Sequence, residues 1–392
     1  MLRNLQCCSS RLGNLRIQRP LALASTERNE VSFPIMNSRL ACLLLLLALG
    51  SIMLHAQETP ADSLLVLSKS GQTLAVVDPS SLKAIAKIPV GNDPHEVIAS
   101  TDGKTAYVSN YGSGAYNTLA VIDLVAQKPL PAIDLGALRG PHGLDFVGGK
   151  AWFTAEAAKA IGSYDPATQK IDWILGTGQN RTHMIYVWPD LKRIVTTNVS
   201  SGTVSIIEKT VGGGPSGPPP GNPNGGGGKG NPPPRRPMGA PDGDWNETVV
   251  RVGNGSEGFD VSPDRKEIWV ANAQDGTVSI VDDASKAVTQ TLAADVKGAN
   301  RLKFTPDGKL VFISSLGGPD VTVIYSATRK TVKRIPVGHG AAGILMQPDG
   351  SRAFVACTPD SYVAVIDLHS LAVVGHIEAG ENPDGLAWAT RH

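Results

Sequence analysis

A period of about 42 residues constrains this chain more than any other feature. Aligning the turn before the first apolar run of each unit puts His95, His142, His183, Glu257, Asn300, Ala342 and Asp384 in one column, at intervals of 47, 41, 74, 43, 42 and 42 residues. That is the length of a four-stranded propeller blade. The long interval contains residues 212–243, which are rich in Gly and Pro and nearly free of apolar side chains. Such a stretch buries too little surface to repay its ordering and is expected to be a disordered insertion. Subtracting its 32 residues from 74 leaves 42, which restores the period.

Each unit carries short alternating runs bounded by Gly, Asn or Asp, the pattern of strands joined by tight turns. The second run reads YVSN, WFTA, IVTTN, IWVAN, VFISS and FVAC, and the third reads LAVID, IGSYD, VSIIE, VSIVD and VAVID. An acidic residue closes most third runs (Asp78, Asp123, Asp165, Glu208, Asp282 and Asp367, with Ser326 departing), placed to accept bonds from turn amides. Asn110, Asn198 and Asn272 close second runs and are read the same way, as turn-bonding residues. Seven units predict an all-β fold, a seven-bladed propeller of four-stranded antiparallel blades over residues 63–391, which leaves only short, protected strand edges. The chain enters at a second strand near Leu64 and ends in a first strand, so the C-terminal strand is expected to join the N-terminal blade and close the ring.

Ahead of the repeat, Met36 to Arg39 leads into the apolar run Leu40 to Leu54 and then His55-Ala56-Gln57. A basic end, a hydrophobic region and a small residue come in the order of a secretory signal, so residues 36–56 are read as a signal peptide cleaved after Ala56. The 15-residue apolar run is short of the roughly 20 residues a spanning helix needs, so no stable transmembrane span is expected in the mature protein. Residues 1–35 precede that start and are expected to be untranslated or disordered, and residues 57–62 form a short linker. An exported protein, periplasmic, secreted or on the cell surface, follows. Removing residues 1–56 takes away six Arg and two Glu, moving the formal charge from +1 to −3. No broad basic field remains for nucleic acid. Cys357 is then the one remaining thiol, and neither a CxxCH haem motif nor a paired CxxC zinc motif is present.

The run AYVSN, then NYGSG, TLAVIDL, IPVG and a PDG-type hairpin resembles the YVTN-family propeller repeat over residues 63–391. That resemblance implies the fold and an exported or surface setting, and little about chemistry. Pro94-His95-Glu96-Val97 and Asn110-Tyr111-Gly112 are also similar to lactonase-type seven-bladed propellers, which implies hydrolysis as an alternative. Propellers of the nitrous oxide reductase kind hold copper through histidines. The Gly-His and Trp-Asp pairs of WD repeats are missing.

Successive strands of a blade run antiparallel, so the turn before each first strand lies on the same face as the turn from second to third. The column therefore begins the innermost strands at one mouth of the central channel, where side chains from several blades converge. His95, His142, His183 and Glu257 form a candidate ligand set for zinc or copper. Asn300 and Asp384 complete the ligand-binding column, and Arg181 and Arg301 flank it as groups for a carboxylate or phosphate, or as solvated charges. Tyr111, Tyr116 and Glu156 fall in adjoining loops and are expected at the rim. The competing expectation is a polar lining of a water-filled channel. No catalytic residue is assigned; the sequence favours a binding module for a small ligand or metal over a lactonase-like hydrolase using one of these histidines. A scaffold for surface or protein partners is the third reading.

Overall fold

The computed structural model describes residues 58–210 and 244–392. Among the described residues twenty-eight strands form seven four-stranded antiparallel sheets. Blade 1 combines the C-terminal strand Pro383–Thr390 with Asp62–Ser68, Thr73–Asp78 and Lys83–Pro89, so the two ends of the repeat close the ring as the period requires. Blades 2 to 7 follow in chain order, their innermost strands being Pro94–Ala99, Pro141–Val147, Thr182–Val187, Ser256–Val261, Ala299–Phe304 and Ala341–Met346. Among the described residues no helix is long and apolar enough to cross a membrane.

The sequence explains the layering. Second and third strands are apolar almost throughout, because both of their faces meet a neighbouring blade, and they are buried along nearly their whole length. Outer strands are mostly exposed, with one buried residue near the end, as in Lys330–Pro336. The core accordingly lies between blades: Leu65, Leu67, Leu74 and Val76 of blade 1 pack on Val97, Val108 and Ile122 of blade 2. Full burial of each such side chain contributes roughly 1.5–3 kcal/mol.

The acidic residues that close third strands act as expected in five of six cases. Asp78, Asp123, Asp165, Asp282 and Asp367 accept backbone N–H bonds from two or three residues on. Glu208 instead pairs with Arg193 at 2.6 Å and with Lys286. Lys209 and Trp245 pair across the third and fourth strands of blade 4, so the Gly/Pro-rich stretch connects those strands; it lies outside the described residues, as do the expected signal peptide and the residues before it.

Candidate metal centre at the channel mouth

All seven column residues occupy the same place, the second residue of an innermost strand. Four local devices fix them there. A β-bulge follows the first residue of the strand in every blade, as where Pro94 pairs with Asn110 but Val97 with Val108, and bulges re-aim side chains. A hydroxyl near the end of the second strand ties the bulge down and bridges blades. Thr154 accepts the Gly143 N–H at 2.9 Å and donates to the His183 carbonyl at 2.7 Å, while Thr197 accepts from Met184 and donates to the Glu257 carbonyl at 2.8 Å. Ser314 does the same for Arg301 and Ala342. At Gly143 and Gly385, directly after column residues, a Cβ would collide with the backbone carbonyl of the next innermost strand, so glycine permits the close approach of blades.

The fourth device lies two residues before the column, where every blade has a left-handed backbone. Four blades use glycine there: Gly140, Gly255, Gly298 and Gly340. The other three carry Asp93, Arg181 and Asn382, at φ of 47°, 55° and 50°. A side chain in that region costs about 1–2 kcal/mol. Two of the three, Asp93 and Arg181, aim charged groups at the column, and such strain concentrates at functional sites.

On blades 3 to 5 the side chains form a buried cluster. The His142 and His183 rings lie 3.9 Å apart, and both residues are at most 3% exposed. His183 stands between two carboxylates: Nδ1 bonds Glu156, and Nε2 lies 2.7 Å from Oε2 of Glu257. Although close enough for an ion pair, the second contact is not aligned as a hydrogen bond, so both atoms are buried without a hydrogen-bond partner, as is Nδ1 of His142. The Tyr111 hydroxyl donates to the other oxygen of Glu156 at 2.5 Å, and Arg181 reaches Glu156 at 3.5 Å and Glu257 at 3.8 Å. Donor atoms of His142, Glu156 and His183 all lie within 4.8 Å of one another.

Burial disfavours charge on His183, but Glu257 and Glu156 outweigh it and push the imidazole up to about 8. For Glu257 burial is likewise outweighed, by His183 and Arg181, which hold it down to about 2. Burial, reinforced by His183 and His95, drives His142 well below the usual histidine range. It is a neutral imidazole whose Nδ1 has no hydrogen-bond partner. Burial raises the Tyr111 phenol, so it acts as a donor and not as a phenolate.

A second cluster occupies blades 1 and 2. Lys69 Nζ donates to His95 Nε2 at 2.8 Å and lies 3.4 Å from Asp384 and 3.7 Å from Asp93. His95 joins the clusters, its ring centre 5.0 Å from that of His142 and 4.9 Å from that of Tyr111, the latter in a T-shaped pair. Beneath the mouth, Arg301 of blade 6 pairs with Glu96 of blade 2 across the ring, both 9% exposed or less.

The column thus divides. His142, His183 and Glu257 come together as expected, and Glu156, expected only at the rim, becomes a central member. His95 lies beside them with its Nε2 engaged by Lys69. Asn300 is spent on Arg301, accepting from it at 3.2 Å, and Arg301 itself is no solvated charge but one half of a buried ion pair. Arg181 faces the carboxylates, not open solvent alone. A water-filled lining fails at His142, His183 and Asp384, which are 3%, 2% and 7% exposed. Tyr116, expected at the rim, is 39% exposed and packs on Gly112. Asn110 donates to the Val90 and Asn92 carbonyls, and Asn198 and Asn272 donate to hydroxyls, so these three are structural, but through carbonyls and hydroxyls and not the turn amides expected. Lys69, Asp93 and Glu96 were not singled out. Tyr111 directly follows its second strand, the position that Lys69 and Glu156 hold in blades 1 and 3, in a turn of seven residues where every other blade has four.

No protein-family model matches the chain, and no curated protein does. Among solved structures, a protein of unknown function from Desulfotomaculum acetoxidans superposes with a TM-score of 0.64 at 14% identity, covering 84% of this chain and 99% of its own. A candidate 6-phosphogluconolactonase from Bacteroides fragilis gives 0.61 at 16%, covering 84% and 99%. Hydrazine synthase of Kuenenia stuttgartiensis gives 0.56 at 16%, covering 75% and 89%. The chain is a seven-bladed β-propeller, and lactonase-type propellers are among those sharing its fold. At such identities, and with such different descriptions, the likeness carries fold and not activity.

Proposed function

We propose that the protein is an exported propeller binding module that holds a divalent transition-metal ion, zinc or copper, with His142 and His183 and the flanking carboxylates Glu156 and Glu257. The observation that carries this reading is the set of buried atoms left without hydrogen bonds, Nδ1 of His142, Nε2 of His183 and Oε2 of Glu257, beside three donors within 4.8 Å of one another. When Nδ1–H of neutral His183 donates to Glu156, Nε2 turns a lone pair toward a carboxylate oxygen at 2.7 Å. Two lone pairs at that distance repel unless a cation lies between or beside them. A proton serves without metal; an ion supplies more charge and also takes a nitrogen of His142. Glu156 then acts as the carboxylate that fixes the tautomer and direction of a ligating histidine. Export is supported by the order of charges and apolar residues in 36–56.

The test is equilibrium dialysis of the mature protein against zinc and copper at pH 7, with metal counted by mass spectrometry. One ion per chain is expected, lost in the His142→Ala/His183→Ala variant. A wild type that retains no metal removes the proposal.

A hydrolase of lactonase type is the second reading. It is favoured by the hydrogen bond from His183 to Glu156, the arrangement of a general base and its orienting group. Lactone turnover abolished by His183→Ala alone would establish it in place of metal binding.

A further inference from the structure

On the face of the histidines, turns of blades 1, 2 and 7 enclose an open hollow of about 640 Å³. Lys69, Gln72, Asn92, Asp93, Tyr116 and Asn382 build most of its wall. We propose that this hollow is a binding site for a neutral oligosaccharide that crosses the ring of Tyr116. The first observation is that ring. Tyr116 is the one exposed aromatic side chain among the described residues, at 39%, and it belongs to the seven-residue turn that blade 2 alone has. It rests on Gly112, where a Cβ would lie 2.3 Å from its Cδ2, so glycine permits the seat and fixes how the ring is presented. The face of an aromatic ring is electron-rich and receives the C–H face of a sugar.

The second is the chemistry of the wall. Its charged residues are Lys69 and Asp93, opposite in sign and 3.7 Å apart, so the lining has no net charge with which to select an ion. The side-chain amides of Gln72 and Asn92 bond no other described residue. Each offers a carbonyl acceptor and an N–H donor, a pairing that a sugar hydroxyl, itself donor and acceptor, satisfies. Ser70 and Asn382 are instead spent on each other at 2.5 Å and hold the wall in place. Of the three blades with a side chain where four have glycine, two place it on this wall, as Asp93 and Asn382. The third observation is shape. A second hollow, of about 320 Å³, meets the first at Asn92 and Tyr116 and runs past Asn117 to Pro129 and Leu130 on the outer strand of blade 2. Tyr116 is thus a ridge between two hollows, each within the roughly 300–1,000 Å³ of ligand pockets. A chain of sugar rings fills both, and a single small molecule does not. The site adjoins the surroundings of His95 through Lys69 and Asp93 but needs no metal, so it does not rest on the metal reading.

The probes are cello-, manno- and chito-oligosaccharides, titrated by calorimetry into the mature protein held in chelator at pH 7. Binding of at least one of them is expected, weakened roughly tenfold in Tyr116→Ala and kept within about twofold in Tyr116→Phe, which retains the ring. Asn92→Ala/Gln72→Ala, a change of two exposed side chains, is expected to weaken it roughly fivefold or more, and it decides the matter if Tyr116→Ala proves unstable by thermal melting. Binding of none of the three probes, or binding indifferent to these substitutions, overturns the proposal. Binding that requires zinc, or that is lost in His142→Ala/His183→Ala, puts the sugar at the metal centre and overturns it as well. A wild type that retains no zinc but binds a probe in this way removes the metal reading and leaves the saccharide site standing.

Discussion

Two groups of column residues share one backbone geometry and have opposite electrostatics. On blades 3 to 5, His142, His183 and Glu257 are joined by Glu156 into a buried group whose histidine is charged by two carboxylates. On blades 1 and 2, Asp384 and His95 form a more exposed group held by a lysine. Bulge, left-handed turn and innermost strand are the same in both. The repeat therefore fixes where a side chain is presented, and its neighbours on adjoining blades decide what it does.

Breaking the ring should erase both groups together. Removal of residues 383–392 deletes the innermost strand of blade 1 and with it Asp384. It also uncovers Leu64 and Val66, which pair with that strand. The expected outcome is loss of cooperative unfolding in urea, and a truncation with unchanged stability would contradict the closure.

Removing the tie beneath them is next in size. Arg301→Met leaves Glu96 charged and buried without its partner, an expected loss of about 3–5 kcal/mol in chemical denaturation. Adding Glu96→Leu should recover much of it, because no unpaired charge then remains.

Acid–base behaviour should distinguish the two groups. In metal-free protein the folded-state pKa of His183, about 8, is above its unfolded value of 6.5, so its stabilising contribution is complete below pH 6.5 and lost as pH rises through about 8. The size is about 2 kcal/mol. The depressed Glu257 expresses the same pairing from the other side, present above its unfolded 4.5 and lost as pH falls toward 2, so the two are not added. His95, shifted downward by burial, contributes no loss in the range 6.5 to 8. Urea melts across that range should lose their slope in His183→Asn and keep it in His95→Asn.

Smaller effects come from the positioning devices. Thr197→Val removes the hydroxyl between the Met184 N–H and the Glu257 carbonyl, an expected cost of about 1–2 kcal/mol, with Thr197→Ser near wild type. Arg181→Gly should change stability by less than about 1 kcal/mol, since relief of the left-handed backbone offsets a partly exposed ion pair. It should tighten zinc binding at the inner group by removing a nearby positive charge.

The same division explains what could be read in advance. Blades, ring closure and the column were legible because each rests on a local pattern repeated seven times. Which residues face one another across blades was not. Glu96 and Arg301 are 205 residues apart, and their pairing depends on two side chains crossing a closed ring. Lys69 follows a second strand, where a lysine ordinarily reads as solvated, and only the packing of blade 1 on blade 2 places it over His95. Glu156 was legible as a rim residue, but its bond to Nδ1 of His183 depends on ring orientation, which a residue pattern does not encode. Tyr111 was likewise legible as a rim residue, although nothing in NYGSG says that its hydroxyl reaches Glu156.

The most direct test of the inner group is X-ray absorption at the zinc edge of protein loaded with one zinc per chain. The account predicts two imidazole nitrogens at about 2.0–2.1 Å with carboxylate oxygen in the remaining shell. His142→Ala/His183→Ala should lose that imidazole signature. A shell of oxygen alone, or a spectrum unchanged by that double substitution, would contradict the assignment of the buried histidines as the metal centre.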